Sequence, residues 1–294
     1  MKWNDIFCNT FKSLRTQIKP DVRQQVNFIL PSWPMVDACR ADSLNAFQPF
    51  IAAGKLSEDQ MHQACDRYYL GKTKTGTPIY WMIDDMNTPL DAHIGNRWIS
   101  QLLKQREPLI ANWQVQHCLF GLHLLAHAEA PTGDWRNCGI AKPHTGDWRN
   151  CSIAKPKVSN ATGGPDSRAS LTYPSPFTSG RPAVTPISIV ESESSAIVLS
   201  ALFPETIWLA YATTSHLVPD LFAPLEGHIV TIYPNTDPTL STYLFFQDLI
   251  TLTLQQYDLD ITISPLLEDN ATPTQKDRCI DLLDFLRESL YNTS

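Results

Sequence analysis

The stretch PISIVESESSAIVLSAL, residues 186–202, decides how the last third of the chain is built. Ile187–Val190 is a short apolar run of the kind that forms a strand buried on both faces. Glu191 follows it at once, and Ser192–Phe203 then carries apolar residues at helical spacing. The same alternation continues outward. Ile207–Tyr211 reads as a strand, His216–Leu225 as a short helix and His228–Tyr233 as a strand; Leu240–Tyr257 reads as a helix, Asp260–Ser264 as a strand and Thr274–Tyr291 as a closing helix. Strands alternating with helices at these intervals predict a parallel sheet flanked by helices, so the expected class is α/β. In such sheets the side chains at the carboxyl ends of the strands converge on one crevice. Glu191 ends one strand, and Asn235 and Asp237 follow another in HIVTIYPNTDPT, residues 228–239.

Charge divides the chain in two. Residues 186–294 hold 3 Lys+Arg against 15 Asp+Glu, a balance of −12, whereas the rest hold 20 against 15, or +5. Nucleic-acid surfaces need cationic groups to neutralise phosphates. The acidic region cannot supply them, so any nucleic-acid contact is expected from the first two-thirds or through a metal. The seven cysteines are odd in number, scattered and without a C-x-x-C, as in a reduced, cytoplasmic protein. No stretch approaches the ~20 apolar residues of a membrane span. MKWNDIFCNTFKSLR, with Asp5 and no continuous apolar core, does not read as a secretory leader.

Residues 1–127 predict a small α+β module. LSEDQMHQACDRY places Ser57 three residues before Gln60, a capping box ahead of a helix. Tyr68–Leu70 and Pro78–Ile83 read as strands joined by a turn at Lys74–Gly76. NRWISQLLKQR reads as an amphipathic helix and CLFGLHLLAHA as a buried one. Residues 128–185 break the pattern with half of the chain's 12 Gly and many Pro, Ser and Thr, the composition of a linker. Inside lies a tandem duplication, TGDWRNCGIAKP (132–143) and TGDWRNCSIAKP (145–156). It reads as a duplication of coding sequence; the alternative is a stacking element for single strands built on Trp135 and Trp148. Residues 186–294 form the α/β domain.

Two constellations could carry chemistry. A Glu on one strand and an Asp-x-Asp on another would hold Mg²⁺, which takes oxygen ligands in octahedral geometry. Here Asn235 stands at the first Asp position, and an Asn carbonyl ligates without charge. The competing expectation is that Glu191 and Asp237 cap the helices that follow them. His123 and His127 lie four apart on one helical face, a zinc spacing. They lack a third ligand, so no zinc is expected and His123 is read as a buried structural histidine.

VESESSA after the first strand and YPNTD two βα units later resemble the Toprim domain of primases and topoisomerases. YYLGKTKTGTPIYWMID, CLFGLHLL, IVESESSAI, YPNTD and DLLDFL together resemble a primase-like family of uncharacterised proteins from bacterial mobile elements. The resemblance covers about 60–127 and 186–290. It implies a Toprim-like sheet, an acid/base role for Glu191, and a metal site of Glu191, Asn235 and Asp237. Ser194 and Ser195 stand where the family has Lys and Thr, and only Cys8 lies near the position of its zinc knuckle. The expectation is a DNA-associated, primase-related protein with a degenerate site, holding Mg²⁺ weakly and with weak or lost phosphoryl chemistry. The alternative is an inactive Toprim-like scaffold that binds a protein partner through its acidic surface.

Overall fold

The computed structural model describes residues 31–106, 115–127 and 185–291. The insertion with its tandem repeat lies outside the described residues. The described residues open with α1 (Trp33–Ala38), α2 (Gln48–Ala52) and α3 (Glu58–Arg67). Helix α3 starts where the capping box predicts: Gln60 N donates to Ser57 Oγ and Ser57 N to Gln60 Oε1. An antiparallel sheet follows in the order β1 (Gly71–Lys72), β2 (Pro78–Ile83), β3 (Pro89–Ile94) and β4 (Arg97–Trp98), and α4 (Ile99–Arg106) leaves from β4.

The first predicted strand, Tyr68–Leu70, is not one. Tyr68 closes α3 and Tyr69 takes a left-handed φ of 53°, so extended pairing begins only at Gly71. PLDAHI, not expected as a strand, is β3, paired along its length with β2. The predicted LFGLHLL helix is a 3₁₀ segment, Leu122–His127. Phe120 bridges Ala210 through both backbone groups, at 2.8 and 3.1 Å, which holds the preceding residues extended. Gly121 then turns the chain at φ 84°, where an added Cβ would lie 2.9 Å from Tyr68 Cε1 and 3.0 Å from Trp208 O. Only glycine fits that approach.

The second sheet is parallel, in the order β6 (Ile207–Ala210), β5 (Ile187–Val190), β7 (Ile229–Ile232), β8 (Asp260–Ile263). Every residue of β5 and β6 is buried, as the apolar runs require. Helices α5 (Glu193–Leu202) and α6 (Ser241–Leu254) follow β5 and β7. The expected closing helix is broken: after α7 (Leu266–Asn270) come α8 (Pro273–Asp277) and α9 (Leu282–Tyr291). Cys279 at φ 51° and the cap at Asp281 separate α8 from α9.

The antiparallel and parallel parts share one core. Tyr68 is fully buried, stacks on Phe120 at 5.3 Å, and donates its hydroxyl to the Trp208 carbonyl at 2.6 Å. The same cluster runs from Phe47 and Phe50 through Leu119 and Leu122 to Ile189, Leu199 and Leu209. The Phe120 bridge also covers the outer edge of β6, which would otherwise offer unpaired backbone groups.

Candidate functional site

Strand β5 lies between β6 and β7, and the chain visits β6 before crossing to β7. The sheet therefore reverses direction between β5 and β7, and the crevice beyond their carboxyl ends is where open α/β sheets place ligands. Glu191 leaves β5 on one side; Asn235 and Asp237 lie beyond the end of β7 on the other. Backbone bonds hold the rims together, with Tyr233 N donating to Ile189 O and Ala212 N to Glu191 O. Ala212, at φ 59°, occupies a left-handed conformation uncommon outside glycine.

The two acids have different fates. Asp237 is 7% exposed, and its carboxylate is taken up by the start of α6. Oδ1 accepts from Thr239 N (2.8 Å), Thr239 Oγ1 (2.6 Å) and Ser241 N (3.1 Å), and Oδ2 accepts from Thr242 N (2.8 Å). Burial works against its charge, but the Thr239 hydroxyl and the N–H groups of Thr242, Ser241 and Thr239 prevail. They hold the carboxyl well below the usual carboxylate range. Helix α6 needs this help because Leu240, at its N-cap position with φ 59°, offers no side-chain acceptor.

Glu191 caps nothing. The following helix begins after Ser192, which makes no side-chain cap bond. Burial raises the Glu191 carboxyl, and the nearby Asp281 and Glu193 carboxylates raise it further. The Tyr211 hydroxyl faces it and favours its charge, yet stops short of hydrogen-bond geometry; Tyr211 is 6% exposed and its Oη has no partner. Asn235 Oδ1 and Thr236 Oγ1 are also buried without partners. Asp281 accepts from the Ser195 hydroxyl and from Asp284 N (2.7 Å), which caps α9. Its carboxyl is raised chiefly by burial, against the pull of Ser195.

A second group borders this mouth and was not found in the sequence. His93 Nδ1 and Glu193 Oε1 meet at 2.7 Å, with side chains 16% and 7% exposed. The Glu193 bond raises the basicity of His93 against the effect of burial. The Trp98 ring stacks on His93 at 5.0 Å and meets His117 edge-on at 4.7 Å, and His117 stacks on His216 at 4.7 Å. Burial, then His216 and Lys104, pull His117 down to about 4. These residues come from four separated segments, so no local spacing marks them. The one available signal was the alternation of apolar and polar residues in LDAHI, which places Asp91 and His93 on one side of β3, a side that is itself largely buried.

The expected Mg²⁺ site of Glu191, Asn235 and Asp237 would share the Asp237 carboxylate with the start of α6. Mg²⁺ takes carboxylate lone pairs at ~2.1 Å, and at Asp237 it would compete with three donors on Oδ1 and one on Oδ2. No group of three or more His, Cys, Asp or Glu among the described residues is arranged to hold a metal ion. His123 is buried with Nε2 donating to Arg67 O at 3.1 Å; the His127 side chain lies outside the described residues.

Residues 179–236 match the model of a domain of unknown function, DUF6371. The matched segment carries β5, α5, β6 and β7 with Glu191 and Asn235, and stops one residue short of Asp237. Neither a curated protein nor a solved structure matches the chain.

Proposed function

We propose that this chain is a Toprim-like, primase-related protein of a mobile element, associated with DNA, whose Mg²⁺-dependent phosphoryl chemistry has been lost. Supporting this reading are the parallel sheet with Glu191 at its switch point and Asn235 in place of a carboxylate. The observation that carries it is the Asp237 carboxylate, spent on the start of α6 rather than left open to the crevice. Contact with DNA falls to the first two-thirds of the chain, where cationic residues are in excess. A cytoplasmic location belongs to the same proposal: Cys39 and Cys65 are buried free thiols, and burial raises both. No helix among the described residues is long and apolar enough to cross a membrane.

A second reading, an inactive scaffold for a protein partner, is favoured by one feature. Residues 182–275 contain no Lys or Arg and eleven Asp or Glu. Two measurements separate the readings: thermal unfolding of the wild type and Asn235→Asp with millimolar Mg²⁺ or Mn²⁺, and DNA binding by fluorescence anisotropy at two salt concentrations. Under the first reading neither protein responds to the ions, because Asp237 stays engaged, and DNA binds with an affinity that falls as salt rises. A Mn²⁺-dependent rise in Tm of the wild type would overturn the loss of the metal site. Absence of DNA binding would leave the scaffold.

A further inference from the structure

The two edges of the parallel sheet differ. On the outer side of β6 the Phe120 bridge pairs with Ala210; on the outer side of β8 no strand or bridge pairs among the described residues. Ser264 N donates to Ile232 O, which fixes the alternation of the parallel ladder. Thr262 and Ser264 therefore turn their backbone groups towards β7, and Ile261 and Ile263 turn theirs outward. An unpaired edge of this kind is a template for one more strand.

The side chains of β8 set what that strand can be. Ile261 is buried in the core cluster that holds Phe246, Leu249 and Ile250 of α6, and Ile263 packs against the same cluster. By alternation Asp260 and Thr262 point to the other face, where both are exposed beside Ile229, itself 44% exposed. An added strand would continue this pattern, with apolar residues next to Ile261 and Ile263 and polar ones next to Asp260 and Thr262.

Its charge follows from the surroundings. Asp258 and Asp260, at the start of β8, are exposed. Asp258 N donates to Glu226 Oε1 at 3.3 Å, which brings a third exposed acid to this end. All three lie within residues 182–275, which hold no Lys or Arg. Cations on an added strand would be drawn to these carboxylates, whereas a second copy of this edge would bring acids to acids.

We propose that β8 is a docking edge for a basic, extended segment of a partner protein, which joins the sheet as a fifth strand. Main-chain bonds to Ile261 and Ile263 supply affinity, and alternate side chains supply specificity. Apolar residues extend the face shared with α6, and the intervening Lys or Arg residues face Asp258, Asp260 and Glu226. The inference rests on the scaffold reading only in taking the partner to be a protein. DNA binding tests that reading and a peptide tests this edge, so either can fail alone.

The probe is a fluorescein-labelled octapeptide of alternating valine and lysine, titrated into the full chain, with a valine–glutamate octapeptide as its control. Fluorescence anisotropy should show saturable binding of the lysine peptide, at least about tenfold tighter than the control and weakened about tenfold in Asp258→Asn/Asp260→Asn. Both aspartates are exposed, so this variant leaves the core untouched. Hydrogen exchange of the wild type, followed by NMR, should show the amides of Ile261 and Ile263 protected by the peptide and that of Thr262 unchanged. Absence of saturable binding, equal binding of the two peptides, undiminished binding in the aspartate variant, or binding that leaves Ile261 and Ile263 unprotected would overturn the proposal. So would protection of both amides before peptide is added, because a second copy or the chain itself would then already occupy the edge.

Discussion

The ends of β5 and β7 are neighbours in one sheet, yet the acids beyond them do opposite things. Asp237 is held by donors from the start of the helix that follows it, whereas Glu191 sits among acids and an unpartnered Tyr211 hydroxyl. The difference arises in the loops. Four residues separate β7 from Asp237, enough for the chain to bring the carboxylate under the first N–H groups of α6. Only Glu191 and Ser192 separate β5 from α5, so the carboxylate of Glu191 cannot turn back onto α5 and is left in the crevice. One acid caps a helix, and the other does not. The Glu193 carboxylate is held in the same way as neither, by a histidine from the other sheet.

The largest test of this contrast is Asp237→Ala. It removes the acceptor of four hydrogen bonds at a helix start that has no other side-chain cap, and should lower unfolding stability by about 2–3 kcal/mol. Urea denaturation at neutral pH measures the loss. Because this carboxyl is depressed in the fold, its contribution is complete above the ordinary carboxylate pKa of about 4 and declines as pH falls further. The difference between wild type and variant should therefore shrink in acid. A loss below about 0.5 kcal/mol would mean that Asp237 is not the cap of α6.

Next in size is the His93–Glu193 pair, which ties the antiparallel sheet to the start of α5. His93→Gln should cost about 1–2 kcal/mol at pH 6. The basicity of His93 is raised in the fold, so the stabilisation is complete below its unfolded value of about 6.5 and fades as pH rises through the folded value. The gap between the two proteins should narrow towards pH 8–9. A gap that stays constant with pH would show a packing role without the charged pair.

The smallest effect has the opposite sign. Glu191→Gln removes a charge crowded by Asp281 and Glu193, and should stabilise the protein by at most about 1 kcal/mol, discounted for the partial exposure of the site. Since the folded carboxyl is raised, the advantage of the variant should appear as pH rises above the ordinary glutamate value of about 4.3, grow through the raised value and then level off. Destabilisation by Glu191→Gln would give Glu191 a structural role like that of Asp237 and erase the contrast between the strand ends.

Most of the parallel sheet was legible in the sequence, because its signals are local. Apolar runs such as Ile187–Val190 and Ile207–Ala210 announce buried strands, and Ser57 with Gln60 announces the start of α3. A cap such as Asp237 is also local, since its donors lie two to five residues away, and it stood among the expectations for that reason. Tertiary structure decided the rest. The LFGLHLL segment became a 3₁₀ turn because Phe120 pairs with β6 and Gly121 must pass Tyr68, a contact between positions far apart in the chain. His93 meets Glu193 across 100 residues, and Ser195 meets Asp281 across 86. Periodicity determines which face of an element is apolar. What that face meets, and which buried acid finds a donor, depends on how distant segments close over one another, and no spacing within the chain encodes it.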